Sequence, residues 1–219
     1  MTSPALQHAD TEAVEIARRT LRWDMMRSSL AGFIDAGWRT FALLVVTRYF
    51  DASSFAKALV PAAFMIGLLT TPIALFYFPR LRMRTSTICS GNYVCAGCLF
   101  LVASAGPDKL WVFLGAGTIA AAVLAQQMPL LVHIYSTNYA PSIRGKRVAY
   151  AITLSVALVP FFGWFGGQLL ERDISEFPIL FQIMAGACFF SGVCIYMTPS
   201  HILQRSPKSN PLTHLSLAW

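Results

Sequence analysis

The chain has 219 residues, of which 56% are hydrophobic and 12% are charged, whereas soluble domains average about 45–50% apolar and about 25% charged residues. The mean hydropathy is +0.57, and the apolar residues occur in blocks of about 20, the length a helix needs to cross a hydrocarbon core of about 30 Å. This composition excludes an ordinary soluble domain. The sequence also lacks the period-two alternation of a membrane barrel, so we predict an all-α polytopic membrane protein.

The net charge of +7 would indicate nucleic-acid binding in a soluble protein. Here the Lys and Arg residues cluster in short segments beside the apolar blocks. In a membrane protein such clusters set the topology and attract anionic headgroups. We therefore predict the lipid bilayer as a partner and no interaction with nucleic acid.

Six apolar blocks predict six transmembrane helices in a bundle. The blocks cover residues 28–49, 56–78, 85–105, 110–135, 148–170 and 178–198. The chain then divides into an N-terminal segment (1–27), a transmembrane domain (28–198) and a C-terminal tail (199–219). The short connections predict that consecutive helices pack side by side as antiparallel neighbours.

The distribution of basic residues predicts that both termini lie in the cytoplasm. One side of the predicted bundle collects twelve Lys and Arg residues, with Arg27 and three other arginines before the first block, and the other side collects four. The positive-inside rule assigns the side with more Lys and Arg residues to the cytoplasm. We predict an integral protein of the cell membrane, whether plasma membrane or inner membrane.

One acid and one base, Asp35 and Arg39, lie four residues apart inside the first block, so they share a helix face. A charge at the centre of a bilayer costs about 2.5–3.5 kcal/mol on insertion scales, and such residues usually face a bundle interior or a watery cavity. Two interpretations stay open. The pair serves substrate binding or coupling, or the two side chains only neutralise each other.

Three amide side chains also lie deep in apolar blocks, Asn92 in the third and Gln126 and Gln127 in the fourth. Gln126 lies at a depth similar to that of Asp35, which allows a contact across one cavity. An amide both donates and accepts hydrogen bonds, which suits a polar organic solute. With Asp35 and Arg39, these residues are the predicted substrate-binding or coupling residues.

Two further segments carry recognisable patterns. Residues 138–147 read Asn-Tyr-Ala-Pro-Ser-Ile-Arg-Gly-Lys-Arg, and residues 160–167 read Pro-Phe-Phe-Gly-Trp-Phe-Gly-Gly. The first predicts either a solvated, inside-positive loop or a gate that pairs with an acid; its residues are Arg144, Gly145 and Arg147. The second predicts close helix packing at Gly163, Gly166 and Gly167.

These two segments, together with the basic loop 79–84, resemble the major facilitator superfamily of transporters over about residues 22–198. The resemblance is to the N-terminal six-helix half of that family. It implies half of a two-bundle fold whose first and fourth helices line a central cavity.

The predicted function is transmembrane transport of a small-molecule solute by such a secondary transporter, or by its N-terminal half, with alternating access to a midplane site. The second bundle would come from a second copy or from a separate C-terminal half. The alternative is a non-transporting membrane scaffold, or a truncated pseudo-transporter, that packs against a partner. The sequence contains no phosphate-binding, metalloprotease or hydrolase motif, so we predict no enzymatic activity, no cofactor and no metal site.

Overall fold

The computed structural model describes residues 4–106 and 109–203, and the regular structure in this part of the chain is helical. The α-helices are α1 (Pro4–Ala36), α2 (Leu43–Arg48), α3 (Ser54–Tyr77), α4 (Thr85–Ala105), α5 (Leu110–Ala125), α6 (Gln127–Asn138), α7 (Pro141–Arg172) and α8 (Phe177–Tyr196). Three short helices of other types lie between them: a π-helix at Gly37–Ala42 and 3-10 helices at Phe78–Leu81 and Ile174–Glu176. The all-α prediction is confirmed.

Six helical segments of the described residues are long and apolar enough to cross a membrane, and we call them spans 1 to 6. They are Thr11–Arg48, Ser54–Leu81, Thr85–Ala105, Leu110–Asn138, Pro141–Arg172 and Ile174–Tyr196. They coincide with the six predicted blocks, apart from earlier starts of spans 1 and 5. Span 4 is interrupted at Gln126, between α5 and α6.

The start of span 1 differs from the prediction. The segment 1–27 was expected to lie outside the bundle, yet from Pro4 onward it belongs to α1, whose residues continue to Ala36. Thr20, Asp24 and Arg27 in this part of the helix are buried. Their spacing of four and three residues puts them on one helix face, which packs into the bundle.

Helix packing does not follow chain order. The most extensive contacts join span 1 to spans 5 and 6, span 4 to spans 2 and 3, and span 3 to span 6. Among consecutive helices, which were predicted to pack side by side, only spans 3 and 4 share an extensive contact; spans 1 and 2, 4 and 5, and 5 and 6 touch over short stretches. Glycines explain why span 1 packs against span 5 and span 2 against span 4. A Cβ at Gly32 of span 1 would lie 2.4 Å from the Ser155 carbonyl oxygen of span 5. A Cβ at Gly67 would lie 2.5 Å from the Ala122 carbonyl oxygen.

This packing pattern has an internal symmetry. Exchanging span 1 with 4, span 2 with 5 and span 3 with 6 maps the contacts of span 1 onto those of span 4 and the contact between spans 3 and 6 onto itself. Spans 2 and 5 occupy equivalent outer positions in this arrangement. Only 17% and 6% of their apolar windows are buried, against 44–56% for the other four spans.

Aromatic side chains fill the bundle around the connections that join spans 1 to 2, 3 to 4 and 5 to 6. The Phe113 ring lies 5.0 Å from Phe181 and 5.5 Å from Phe177, centroid to centroid. Trp38 and Phe50 extend this cluster. Spacings of this size are typical of favourable aromatic pairs, so this end of the bundle is tightly packed.

The predicted tail begins as an ordered segment. The Asn138 amide donates to the Pro199 carbonyl at 2.6 Å, and the Thr85 backbone N–H donates to the His201 carbonyl at 3.1 Å. Residues 199–203 therefore lie against the start of span 3. Residues 204–219 lie outside the described residues.

Candidate functional site

A cavity of about 310 Å³ lies among spans 1 to 5. Its lining is mostly apolar and includes Trp38, Phe64, Leu124 and Met128. The polar side chains that reach it are Arg27, Asp35, Arg39, Tyr93, Gln127 and Ser155. A concave apolar site with a few convergent polar groups is the usual form of a small-molecule site.

Asp35 and Arg39 form an ion pair on the wall of this cavity. The Arg39 Nε lies 2.6 Å from Asp35 Oδ1, so the expectation that the two share a helix face is confirmed. The guanidinium carbon of Arg39 also lies 5.0 Å from the centre of the Phe64 ring, in a cation–π arrangement. The side chains are 53% and 55% exposed, so the chain alone leaves the pair open on one side.

The helix changes geometry at this pair. Asp35 lies at the end of α1, whereas Arg39 lies in the π-helix Gly37–Ala42. Short π-helical segments inside α-helices are rare, and those that occur are often found at functional sites.

The two glutamines have different roles. Gln127 lines the cavity and donates from Nε2 to the Cys89 carbonyl at 2.8 Å, while its Oε1 has no partner among the described residues. Gln126 does not line the cavity; its Nε2 donates to the Gly67 carbonyl and to Thr70 Oγ1. The contact with Asp35 that the depth of Gln126 allows is not made in this structure, because the Gln126 amide is directed toward span 2.

Asn92 is the third predicted amide. It lies in span 3 and is half-buried, and its Nδ2 has no hydrogen-bond partner among the described residues. Asn92 is not among the residues that line the cavity. Its neighbour Tyr93 reaches the cavity instead.

A buried polar network adjoins the cavity at Arg27. The guanidinium donates to Asp24 Oδ1 from Nε at 2.9 Å and from a terminal nitrogen at 2.7 Å, and it donates to the Tyr93 hydroxyl at 3.1 Å. Tyr135 donates its hydroxyl to the Asp24 carboxylate at 2.9 Å. The network ties span 1 to spans 3 and 4 in one charge-neutral cluster.

Sequence reasoning missed this network. The sequence predicts a cytoplasmic position for Arg27 and indicates no role for Asp24, yet the two residues are only 7% and 1% exposed. The available signal was periodicity, because Thr20, Asp24 and Arg27 recur at helical spacing before the first apolar block. The tyrosine partners could not be read from the sequence, since they lie 66 and 108 residues from Arg27.

The segment that carries Arg144 is helical rather than a loop. Pro141 begins α7, at the position where a proline is favoured in a helix. A terminal nitrogen of Arg144 donates to the carbonyl oxygens of Ser136 at 3.1 Å and of Tyr139 at 3.4 Å. These carbonyls lie at the end of α6, where intrahelical donors are lacking, so Arg144 caps that helix.

Gly145 and Arg147 lie in the first turns of α7. A Cβ at Gly145 would meet no atom within 4 Å. Within the described ranges, neither Arg144 nor Arg147 has an ion-pair partner. The acid that a gate would require is therefore not paired with them in this conformation.

The three glycines predicted to pack are not equivalent. A Cβ at Gly166 would lie 2.4 Å from the Phe41 ring of span 1, so this position requires a small residue. A Cβ at Gly163 or Gly167 would meet nothing within 4 Å. Within the described chain, the packing prediction is therefore supported at Gly166 alone.

No protein-family model, no curated protein and no solved structure matches the chain.

Proposed function

We propose that the chain is one bundle of a membrane solute transporter of the major facilitator type, and that the cavity among spans 1 to 5 forms one wall of its solute site. The observation that carries the proposal is the Asp35–Arg39 ion pair, which stays half-exposed on that wall. Lipid is a poor environment for such a pair. A cavity shared with a second bundle removes it from lipid.

The second bundle would be another copy of the chain or a C-terminal half. Spans 2 and 5 are the least buried spans and both contribute residues to the cavity, Phe64 and Ser155. Span 5 also leaves Gly163 and Gly167 uncovered, and small residues of this spacing favour close helix approach in membranes. These features support a second bundle that packs along spans 2 and 5.

Transport would follow from rocking of the two bundles around the cavity, which opens it alternately to the two sides. The symmetric packing of spans 1–3 and 4–6 supports this mechanism, because many transporter folds contain such repeats. Asp35 and Arg39 would contact the solute or couple its movement to an ion. With both termini in the cytoplasm, the Asp24–Arg27 network would lie toward the cytoplasmic end of the cavity.

Uptake into proteoliposomes tests the proposal. The chain is purified together with any second bundle that associates with it, the complex is reconstituted, and a panel of labelled sugars, amino acids, organic acids and amines is screened. Asp35→Asn and Arg39→Gln should each lower uptake of the transported solute about tenfold or more, since a hydrogen bond to a charged group contributes about 1.5–3 kcal/mol. Arg48→Gln, an exposed arginine of the same span, is the matched control.

The scaffold alternative makes the opposite prediction. If Asp35→Asn and Arg39→Gln lower the yield of folded protein and the reconstituted parent complex takes up no solute of the panel, the ion pair is structural. The proposal then fails.

A further inference from the structure

We infer that the cavity binds a small zwitterion, a solute that carries an ammonium group and a carboxylate group on an apolar body. The inference rests on the proposed function, because it names the substrate class of the same cavity. It depends on the hydrogen-bonding capacity that the lining residues leave unused.

The Asp35–Arg39 pair keeps free donors beside a free acceptor. Arg39 contacts Asp35 Oδ1 through Nε. The terminal nitrogens of Arg39 and the second carboxylate oxygen of Asp35 form no hydrogen bond with another described residue. A guanidinium offers five N–H donors and a carboxylate about four acceptor sites. The open side of the pair therefore matches a solute with a carboxylate and an ammonium group close together.

The charges around the cavity balance. Arg27 and Arg39 contribute two positive charges, and their partners Asp24 and Asp35 contribute two negative charges at distances of 2.7 Å and 2.6 Å. A solute with a single charge would leave one unpaired charge in a region of low dielectric constant, which is unfavourable. A zwitterion adds no net charge, so both of its charged groups can be paired.

Gln127 supplies a further acceptor. Its side chain is 4% exposed and lines the cavity. The amide nitrogen is fixed by the Cys89 carbonyl, which can only accept a hydrogen bond, so the unpartnered atom is the oxygen Oε1. A buried acceptor without a donor is unfavourable. Oε1 is shielded from the open cavity in this conformation, so a solute ammonium group would supply that donor after a small shift of the side chain.

The rest of the lining fits a compact apolar body. The apolar wall of the cavity is formed by Trp38, Phe64, Leu124 and Met128. The volume of about 310 Å³ is at the lower end of the range of ligand pockets, about 300–1,000 Å³. This bundle alone therefore encloses enough space for a compact apolar group, and the proposed second bundle would close the open side.

A set of three probes with the same body tests the inference. L-Phenylalanine carries both charged groups, 2-phenylethylamine only the ammonium group and 3-phenylpropanoate only the carboxylate. Equilibrium binding of labelled L-phenylalanine to the purified full chain in lipid nanodiscs is measured, with the other two as competitors. L-Phenylalanine should bind about tenfold or more tightly than either analogue, because each analogue lacks one charge-assisted hydrogen bond.

Two variants should shift this preference in opposite directions. Asp35→Asn leaves Arg39 uncompensated, so 3-phenylpropanoate should compete better relative to L-phenylalanine. Arg39→Gln leaves Asp35 uncompensated, so 2-phenylethylamine should compete better. A purely structural ion pair would not produce this crossed change. The double variant, which has no unpaired charge, should fold and lose the preference, and Arg48→Gln should keep it.

Equal binding of the three probes, no binding of L-phenylalanine or the absence of the crossed change would overturn the inference. The proposed function is judged separately by the uptake panel. If a sugar or a singly charged solute is transported in an Asp35-dependent manner, the transporter proposal stands and the zwitterion inference fails. If nothing is taken up, the transporter proposal fails, whatever the binding result.

Discussion

Arg27 and Asp24 hold their charges inside the bundle because each satisfies the other. Arg27 donates to Asp24 through two nitrogens, at 2.9 and 2.7 Å, and Asp24 receives a further hydrogen bond from Tyr135. The desolvation of two ions is offset only when the geometry is good and the remaining polar atoms are paired. Removal of one partner should therefore lower the free energy of unfolding, because the other charge is left buried and unpaired.

Asp24→Asn should lower the free energy of unfolding by about 3–5 kcal/mol, because it leaves the Arg27 guanidinium buried without a counter-charge. Unfolding of the purified protein in mixed micelles, followed by circular dichroism, measures this loss. The double variant Asp24→Asn/Arg27→Gln should recover most of it, since neither residue is then charged. Glu171→Gln, an exposed carboxylate of span 5, is the control. A loss at Asp24 no larger than that at Glu171 would show that the pair is not buried as described.

The residue scale also shows which parts of the site the sequence could predict. The Asp35–Arg39 pair was predictable, because the spacing of four residues within one helix determines the contact. The choice between Gln126 and Gln127 was not, because consecutive helical residues point about 100° apart and the break at Gln126 changes the direction further. Contacts between helices depend on these directions, which the sequence does not indicate.

At the scale of elements, two glycines determine which helices touch. A Cβ at Gly32 or Gly67 would lie 2.4 or 2.5 Å from a backbone oxygen of the facing helix. A backbone atom cannot move aside without moving its helix. These positions therefore hold span 1 against span 5 and span 2 against span 4.

Gly32→Ala and Gly67→Ala should each lower the free energy of unfolding by about 1–3 kcal/mol, which is typical of overpacking. Gly91→Ala is the matched control, because a Cβ there meets nothing within 4 Å. It should be neutral or raise stability by up to about 1 kcal/mol through the higher helix propensity of alanine. Thermal unfolding in one detergent compares the three variants. Similar losses at all three positions would contradict the close contacts at Gly32 and Gly67.

The elements themselves were predictable, whereas their arrangement was not. Length and hydropathy are local properties, and they placed all six spans. The order of packing depends on close approach at positions such as Gly32 and Gly67, and a single sequence does not indicate which helix faces each glycine. The early start of span 1 was missed because its buried face carries Thr20, Asp24 and Arg27, which are polar.

At the scale of the whole molecule, the open side of the cavity has the properties of a self-complementary surface. It presents an acid and a base, Asp35 and Arg39, on one helix. Two copies inserted in the same orientation can be related by a two-fold axis along the membrane normal, and each surface then meets its own counterpart. The carboxylate of one copy can approach the guanidinium of the other, so the proposed second bundle can be a second copy of this chain.

Disulfide cross-linking in membranes tests this assembly. The five native cysteines are first replaced by alanine. A single cysteine is then introduced at Val156, an exposed residue of span 5 next to Ser155 on the cavity wall. In the control it is introduced at Val102, an exposed residue of span 3. Mild oxidation should link two chains through position 156 and not through position 102. Gly163→Leu, a change on the uncovered surface of span 5, should weaken the cross-link by obstructing close helix approach. Equal cross-linking at both positions, or none at position 156, would contradict a second copy at this surface.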